Sequence, residues 1–237
     1  MSIDTAMVLA AGLGTRMRPL TDDRPKPMVA LAGRTLLDRA LDKLAAAGVR
    51  RIVVNTHYFA GIIHRHLDGR DGIVVSHEAE RLETGGGVRR ALGALGTHPF
   101  FVVNSDAVWL DGRVPALTRL AAAWDDARMD ALLLLQPVAA AIGYAGRGDY
   151  RMESGRLHRR TGDETAPFLF AGVQILHPRL FEGAPGGAFS LNLLYDKAQA
   201  AGRLYGIAHD AEWFHVGTPA DLAAAEEYLT RRAGRGG

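Results

Sequence analysis

The stretch that most constrains this chain runs from Leu9 to Pro27 and reads Leu-Ala-Ala-Gly-Leu-Gly-Thr-Arg-Met-Arg-Pro-Leu-Thr-Asp-Asp-Arg-Pro-Lys-Pro. It begins where the apolar run Ala6-Met7-Val8-Leu9 stops, the pattern of a loop leaving the end of a buried strand. Gly12 and Gly14 carry no Cβ, so the backbone there can turn tightly and approach a ligand closely. Four cations follow within eleven residues: Arg16, Arg18, Arg24 and Lys26. Backbone N–H groups with clustered cations match the acceptor oxygens and spread charge of a polyphosphate. A Walker A loop is excluded, because no Gly-Lys-Ser/Thr stands at the required spacing. A dinucleotide fingerprint is excluded by Met17 in place of a third glycine and by Asn55 where an acidic residue would end the next strand.

The rest of the chain alternates short β-branched runs with longer amphipathic stretches, as βα units do. Strands are predicted at 6–9, 51–55, 73–76, 100–104, 131–135, 168–176 and 204–208, and helices at 36–47, 60–67, 88–94, 115–124 and 191–201. Thr218 is read as the N-cap of a last helix with Pro219 at its first position. Residues 149–158 read as two short strands around a Ser154-Gly155 turn. Residues 1–230 are expected to form one domain, and 231–237 a flexible tail with nothing to pack against.

Gly12-Leu13-Gly14-Thr15-Arg16, followed by Pro19 and by Arg24-Pro25-Lys26-Pro27, resembles the signature of the sugar-phosphate nucleotidyltransferases. The resemblance extends from Leu9 through Pro219, with the motifs in family order. It implies an α/β, Rossmann-like (GT-A-like) nucleotidyltransferase fold, a three-layer sandwich around a mixed, mostly parallel central sheet. It also implies in-line attack of a sugar 1-phosphate on the α-phosphorus of a nucleoside triphosphate, without a covalent enzyme intermediate. Leu9, Ala10, Ala11, Gly12, Gly14, Thr15 and Arg16 would bind the nucleotide. Arg16 would hold the departing β,γ-phosphates, and Lys26 the α-phosphate and the incoming sugar phosphate.

Glu83-Thr84-Gly85-Gly86-Gly87 is read as a loop before the helix at Val88, with Glu83, Thr84, Gly85 and Gly86 free to read a base edge. It resembles the base-reading loop of uridylyltransferases acting on N-acetylmuramic acid 1-phosphate, whereas enzymes for glucose 1-phosphate usually carry Gly-Leu-Ala-Gln there. UTP and a sugar 1-phosphate are therefore the expected partners, and peptidoglycan recycling the implied setting. A guanylyltransferase for mannose 1-phosphate and a silent nucleotide-sugar sensor are the alternatives.

Asn104-Ser105-Asp106 ends a central strand, where ligands bind in open α/β sheets. Magnesium takes hard carboxylate oxygens plus phosphate oxygens, which makes Asp106 its expected ligand and Mg²⁺ the expected cofactor. Trp213-Phe214-His215-Val216-Gly217-Thr218-Pro219 resembles the family's second metal segment, Trp-x-Asp-x-Gly-Thr-Pro, with His215 at the aspartate position. Imidazole suits Mn²⁺, cobalt or zinc better than magnesium. His215 is thus open to three roles: ligand of a softer metal, ligand through a water, or phosphate donor. Gly148-Asp149-Tyr150 and Phe170-Ala171-Gly172-Val173 resemble the segments lining the sugar pocket, through Gly148 and Gly172. A muramate substrate brings a lactyl carboxylate, for which Arg147, Arg159 and Arg160 are all candidates.

With 48% hydrophobic and 23% charged residues, 237 residues suffice for a full core. The lack of cysteine excludes disulfides and thiolate metal sites. No basic segment precedes a long apolar run at the N-terminus, so a cytoplasmic protein with no membrane partner is expected. The formal charge of +2 includes Arg231, Arg232 and Arg235, and without them the body carries −1, which argues against a nucleic-acid surface. Nothing in the composition sets an oligomeric state.

Overall fold

A computed structural model describes residues 3–234. The apolar run at the N-terminus forms β1 (Thr5–Leu9), followed in the central sheet by β2 (Arg51–Thr56), β3 (Ile73–His77), β4 (Phe100–Asn104), β5 (Ala131–Pro137), β6 (Tyr150–Glu153), β7 (Arg156–Arg159), β8 (Phe168–Leu176) and β9 (Leu204–Ala208). Their order across the sheet is β6-β7-β9-β5-β8-β4-β1-β2-β3. β1 pairs in parallel with β2 and β4, β2 with β3, and β9 with β5, while β8 runs against both β4 and β5. With β7 antiparallel to β9 and β6, only β8 and β7 oppose the common direction, giving the mixed, mostly parallel sheet expected.

Side-chain alternation along the strands builds two cores. Ala6 and Val8 of β1 face α1 (Leu36–Ala46), α2 (Ala60–Leu67) and α4 (Ala116–Ala123), whereas Met7 faces α3 (Glu83–Leu95) and α5 (Asn192–Ala200). These are the three layers. In α1, Leu36, Leu37, Ala40, Leu41 and Leu44 are all buried, and each leucine contributes about 2 kcal/mol of transfer free energy. Gly48, with φ near 80°, stands just beyond this helix. A last helix, α6 (Pro219–Ala233), starts from Thr218 with a full capping box supplied by Asp221.

Two sequence expectations are corrected here. The helix predicted from Val88 begins at Glu83, so all three glycines lie inside its first turns. Arg231 and Arg232, assigned to a tail, belong to α6, and Arg232 pairs with Glu212. Residues 235–237 lie outside the described residues. Among the described residues no helix is long and apolar enough to cross a membrane.

Candidate active site

The carboxyl ends of β1, β2 and β4 open onto a cavity of about 400 Å³ lined by Leu9, Ala11, Gly12 and Gly14. Gly14 has φ 65° and caps a short 3₁₀ turn, Thr15–Met17. Its carbonyl accepts from Thr21 Oγ1 at 2.9 Å and from the Met17 N–H at 2.9 Å, which pins the far end of the loop. At the near end, the Ala10 N–H donates to Asn55 Oδ1 at 2.7 Å. Between these anchors, among the described residues, the N–H groups of Ala11 through Gly14 meet no protein acceptor. A loop fixed at both ends with its N–H groups uncommitted can serve as an anion cradle. Ala10 itself is buried, and Thr15 sits in the short turn outside the cavity wall.

Lys26 and Asp106, eighty residues apart in sequence, form an ion pair at 2.5 Å, with the lysine side chain 12% exposed and the carboxylate 40%. Together with Asn104 they line both the loop cavity and a second one of about 240 Å³. That second cavity also holds Arg16, Asp149, Gly172 and His215. The elements predicted to carry phosphate, metal and sugar contacts thus converge on one junction. Gly172, with φ 80°, brings its backbone against Asn104 and Ala107. Gly148 is buried and outside both walls, packed so closely that a Cβ there would collide with the Ala166 carbonyl; its neighbour Asp149 is the lining group. Asp149 Oδ2 accepts the Phe170 N–H at 2.8 Å. Tyr144 completes this wall, and burial, followed by the nearby Asp149 charge, raises its hydroxyl pKa.

His215 lies on the far wall, with its Nε2 3.9 Å from Asp221 Oδ2. Asp221 is engaged by the N–H groups of Gly217 and Thr218 at 3.1 and 2.8 Å. Trp213 donates its indole N–H to the Ala171 carbonyl at 3.0 Å, which fixes this segment against β8. Glu212 points away, to Tyr228 and Arg232, as an extended segment requires.

The base-side segment departs most from its expectation. Glu83 and Thr84 line the loop cavity, but the N–H groups of Gly85 and Gly86 both donate to the Phe189 carbonyl, at 2.8 and 3.1 Å. The Phe189 N–H returns to the Leu82 carbonyl at 3.1 Å, and the Leu191 N–H donates to Thr84 Oγ1 at 2.9 Å. A Cβ on Gly85 would stand 2.8 Å from the Phe189 carbonyl oxygen and strike its ring, and one on Gly86 would collide with the Gly187 carbonyl. A Cβ on Gly87 would lie 2.7 Å from Glu78 Oε1. The glycines therefore admit protein neighbours, and their two N–H groups are not available to a base.

Sequence reasoning missed Asn55 and Glu78 as site residues. Asn55 Nδ2 donates to Glu78 Oε1 at 2.7 Å, and Glu78 Oε2 accepts the Leu82 N–H at 3.0 Å. Both side chains line the loop cavity, and they join the cradle at Ala10 to the start of α3. The available signal was position, since Asn55 ends the strand predicted at 51–55 and Glu78 follows the one predicted at 73–76 by two residues.

Residues 6–182 match the MobA-like NTP transferase domain family. The chain is 45% identical over 232 residues to an N-acetylmuramate alpha-1-phosphate uridylyltransferase of Caulobacter vibrioides, covering 94% of this chain and 96% of that protein. A protein of the same name from Neisseria meningitidis is 33% identical over 227 residues, covering 93% and 96%. The mannose-1-phosphate guanylyltransferase catalytic subunit beta of Danio rerio is 28% identical over 92% of this chain, which spans 62% of that longer protein. Among solved structures, HddC from Yersinia pseudotuberculosis complexed with GMP-PN superposes with a TM-score of 0.77 at 24% identity, covering 96% of this chain and all of that one. The chain belongs to the MobA-like NTP transferase family and is a sugar-phosphate nucleotidyltransferase.

Proposed function

We propose that the chain transfers the uridylyl group of UTP to N-acetylmuramic acid 1-phosphate, giving UDP-N-acetylmuramic acid and pyrophosphate, a reaction suited to peptidoglycan recycling. The observation that carries this reading is the junction, where Lys26, Asn104 and Asp106 line both the nucleotide-side and the sugar-side cavity. The full-length identity of 45% to a muramate uridylyltransferase supports the choice of uridine and of the sugar.

In this reaction an oxygen of the sugar 1-phosphate bonds to the α-phosphorus. The bond from that phosphorus to the bridging oxygen breaks, and its electron pair leaves with pyrophosphate. The nucleophile is already an anion, so no proton has to be taken from it, and positioning with charge neutralisation does most of the catalysis. Lys26 stands where both phosphates meet. Its pairing with Asp106 keeps the ammonium in place, and incoming phosphate oxygens can replace the carboxylate as its partner. Arg16 lines the sugar-side cavity and not the loop cavity, so it would neutralise the leaving β,γ-phosphates from across the junction, while the open N–H groups of Ala11 to Gly14 cradle the triphosphate.

Magnesium is held by one or two carboxylates and completes its shell with phosphate oxygens and water. Asp106 fits that role, and no group of three metal-ligating side chains converges among the described residues, so the phosphates would supply much of the shell. Bound there, the ion would add positive charge beside the transferring phosphoryl group. His215 faces the same space with a donor better suited to manganese.

The test is pyrophosphate release with UTP, GTP, CTP and dTTP, each against the 1-phosphates of N-acetylmuramic acid, N-acetylglucosamine and mannose, in Mg²⁺ and in Mn²⁺. Release confined to UTP with the muramic acid substrate is the expected result, and faster turnover in Mn²⁺ would make His215 a ligand. Turnover of GTP with mannose 1-phosphate would replace this reading with that of a guanylyltransferase. Silence throughout, with UTP still bound, would make the chain a sensor.

A further inference from the structure

Five arginines lie on the β6–β7 hairpin and the loops flanking it. Arg156 donates to the Tyr205 hydroxyl at 3.2 Å and lines neither the junction nor the cavity beside it, and three of the others are neutralised. Arg147 donates to Asp163 at 2.7 Å, Arg151 pairs with Glu164 at 3.1 Å, and Arg159 grips Asp196 through Nε and Nη2 at 2.8 and 2.5 Å. Arg160 differs. Its Nε donates to the Gly148 carbonyl and its Nη1 to the Gly162 carbonyl, both at 2.7 Å. Among the described residues no carboxylate oxygen lies within 4.0 Å of its guanidinium. Two carbonyls orient the group without cancelling its charge, and they leave both N–H bonds of Nη2 uncommitted.

Its position is as informative as its pairing. Arg160 lines a cavity of about 440 Å³ with Asp149, Tyr150, Phe170, Asn192 and Arg159, the last held by Asp196. Asp149 and Phe170 also line the cavity that holds Lys26, Asp106 and Gly172. The two spaces therefore share a wall at the sugar side of the junction. Asp149, the other charge on that wall, is occupied at Oδ2 by the Phe170 N–H, and its carbonyl accepts the Arg160 N–H at 2.8 Å. An oriented, half-buried guanidinium without an acid partner is a receptor for a carboxylate, which it can engage with charge-assisted hydrogen bonds.

We infer that Arg160 is the specificity residue for the acceptor, binding the carboxylate of the lactyl ether that distinguishes muramic acid from an ordinary amino sugar. This rests on the reading of the chain as a uridylyltransferase for N-acetylmuramic acid 1-phosphate. Arg147 and Arg159, the other two cations that the sequence offers for this role, already have carboxylate partners within the chain.

The experiment measures calorimetric binding of N-acetylmuramic acid 1-phosphate and of its lactyl methyl ester to the full chain and to Arg160→Gln, whose side-chain amide can still reach the Gly148 carbonyl. The wild-type chain should prefer the free acid about tenfold to a hundredfold, the range of a hydrogen-bonded charge, and in Arg160→Gln that ratio should fall towards one. A ratio unchanged by the substitution would assign the carboxylate to another cation. Equal weakening of acid and ester would reduce Arg160 to a brace between Gly148 and Gly162. A wild-type chain that turns over the acid with UTP yet does not prefer it to the ester would overturn the inference and leave the activity standing. A wild-type chain that consumes another sugar phosphate and not this one would overturn the activity itself.

Discussion

Two glycine-rich segments face each other across the loop cavity, and they use glycine in opposite ways. In the loop after β1, a Cβ on Gly12 would meet nothing within 4 Å, and the N–H groups from Ala11 to Gly14 have no acceptor among the described residues. At the start of α3, every added Cβ would strike protein, and the N–H groups of Gly85 and Gly86 are held by the Phe189 carbonyl. The first segment keeps space and donors for a ligand. The second gives both away to the segment 187–191, which it lets dock and which brings Ser190 to the cavity wall. Glycine content alone therefore does not identify a binding loop; what decides is whether its donors are committed elsewhere.

Gly86→Ala should cause the largest change, and it should be a change in stability. The methyl group would press on the Gly187 carbonyl, a backbone atom that cannot rotate away, and Leu82 Cβ lies 3.1 Å off on another side. Overpacking against backbone costs about 3 kcal/mol, which for a chain of this size is a fall in melting temperature of about 10 °C. Thermal unfolding followed by circular dichroism measures it. An unchanged melting temperature would mean that the 187–191 segment does not sit on α3, and the glycine N–H groups would then be free for a base after all.

Gly12→Ala should do the reverse. With no neighbour for its methyl group and no left-handed φ to oppose, the variant should melt no lower than the parent and at most about 3 °C higher, since an alanine the backbone accepts stabilises by up to about 1 kcal/mol. The methyl group would instead project into the cavity that Gly12 lines, where the proposed reaction puts the triphosphate. The KM for the nucleoside triphosphate should rise about tenfold, a loss on the order of 1 kcal/mol or somewhat more from imperfect approach of charged hydrogen bonds. Steady-state kinetics on both substrates would show it, with the sugar phosphate KM much less affected. Loss of stability with intact kinetics would reverse the assignment of the two segments.

This contrast also marks what the sequence made legible. The loop at 9–16 could be read because strand end, glycines and cations are adjacent in the chain, and Leu36 to Ala47 could be read because a helical face repeats every three or four residues. The start of α3 could not. Three consecutive glycines each cost about 1 kcal/mol in a helix, so local propensity favours a loop, and packing against Phe189 and Glu78 overrides it. The Asn55–Glu78 bond depends on β2 and β3 lying side by side, with Asn55 opposite Ser76, which local sequence does not state. Arg147, Arg159 and Arg160 look alike in sequence because what separates them is supplied by Asp163 and Asp196, the latter 37 residues beyond Arg159.

The smallest expected effect probes the dock itself. Thr84→Val keeps the size of the side chain and removes the acceptor of the Leu191 N–H. The N–H then lies at a part-buried site without its partner, a loss of about 1 kcal/mol, or a fall of about 3 °C in melting temperature. Because only one of the four hydrogen bonds between this segment and the start of α3 is lost, the Gly85 and Gly86 N–H groups should stay protected while Leu191 exchanges faster. Hydrogen exchange resolved by residue separates these sites. If Gly85 and Gly86 lost protection along with Leu191, the segment would be releasing as a unit, and the second glycine segment would become a conditional version of the first, closed by Phe189 in the free chain and open to a base once that contact is gone.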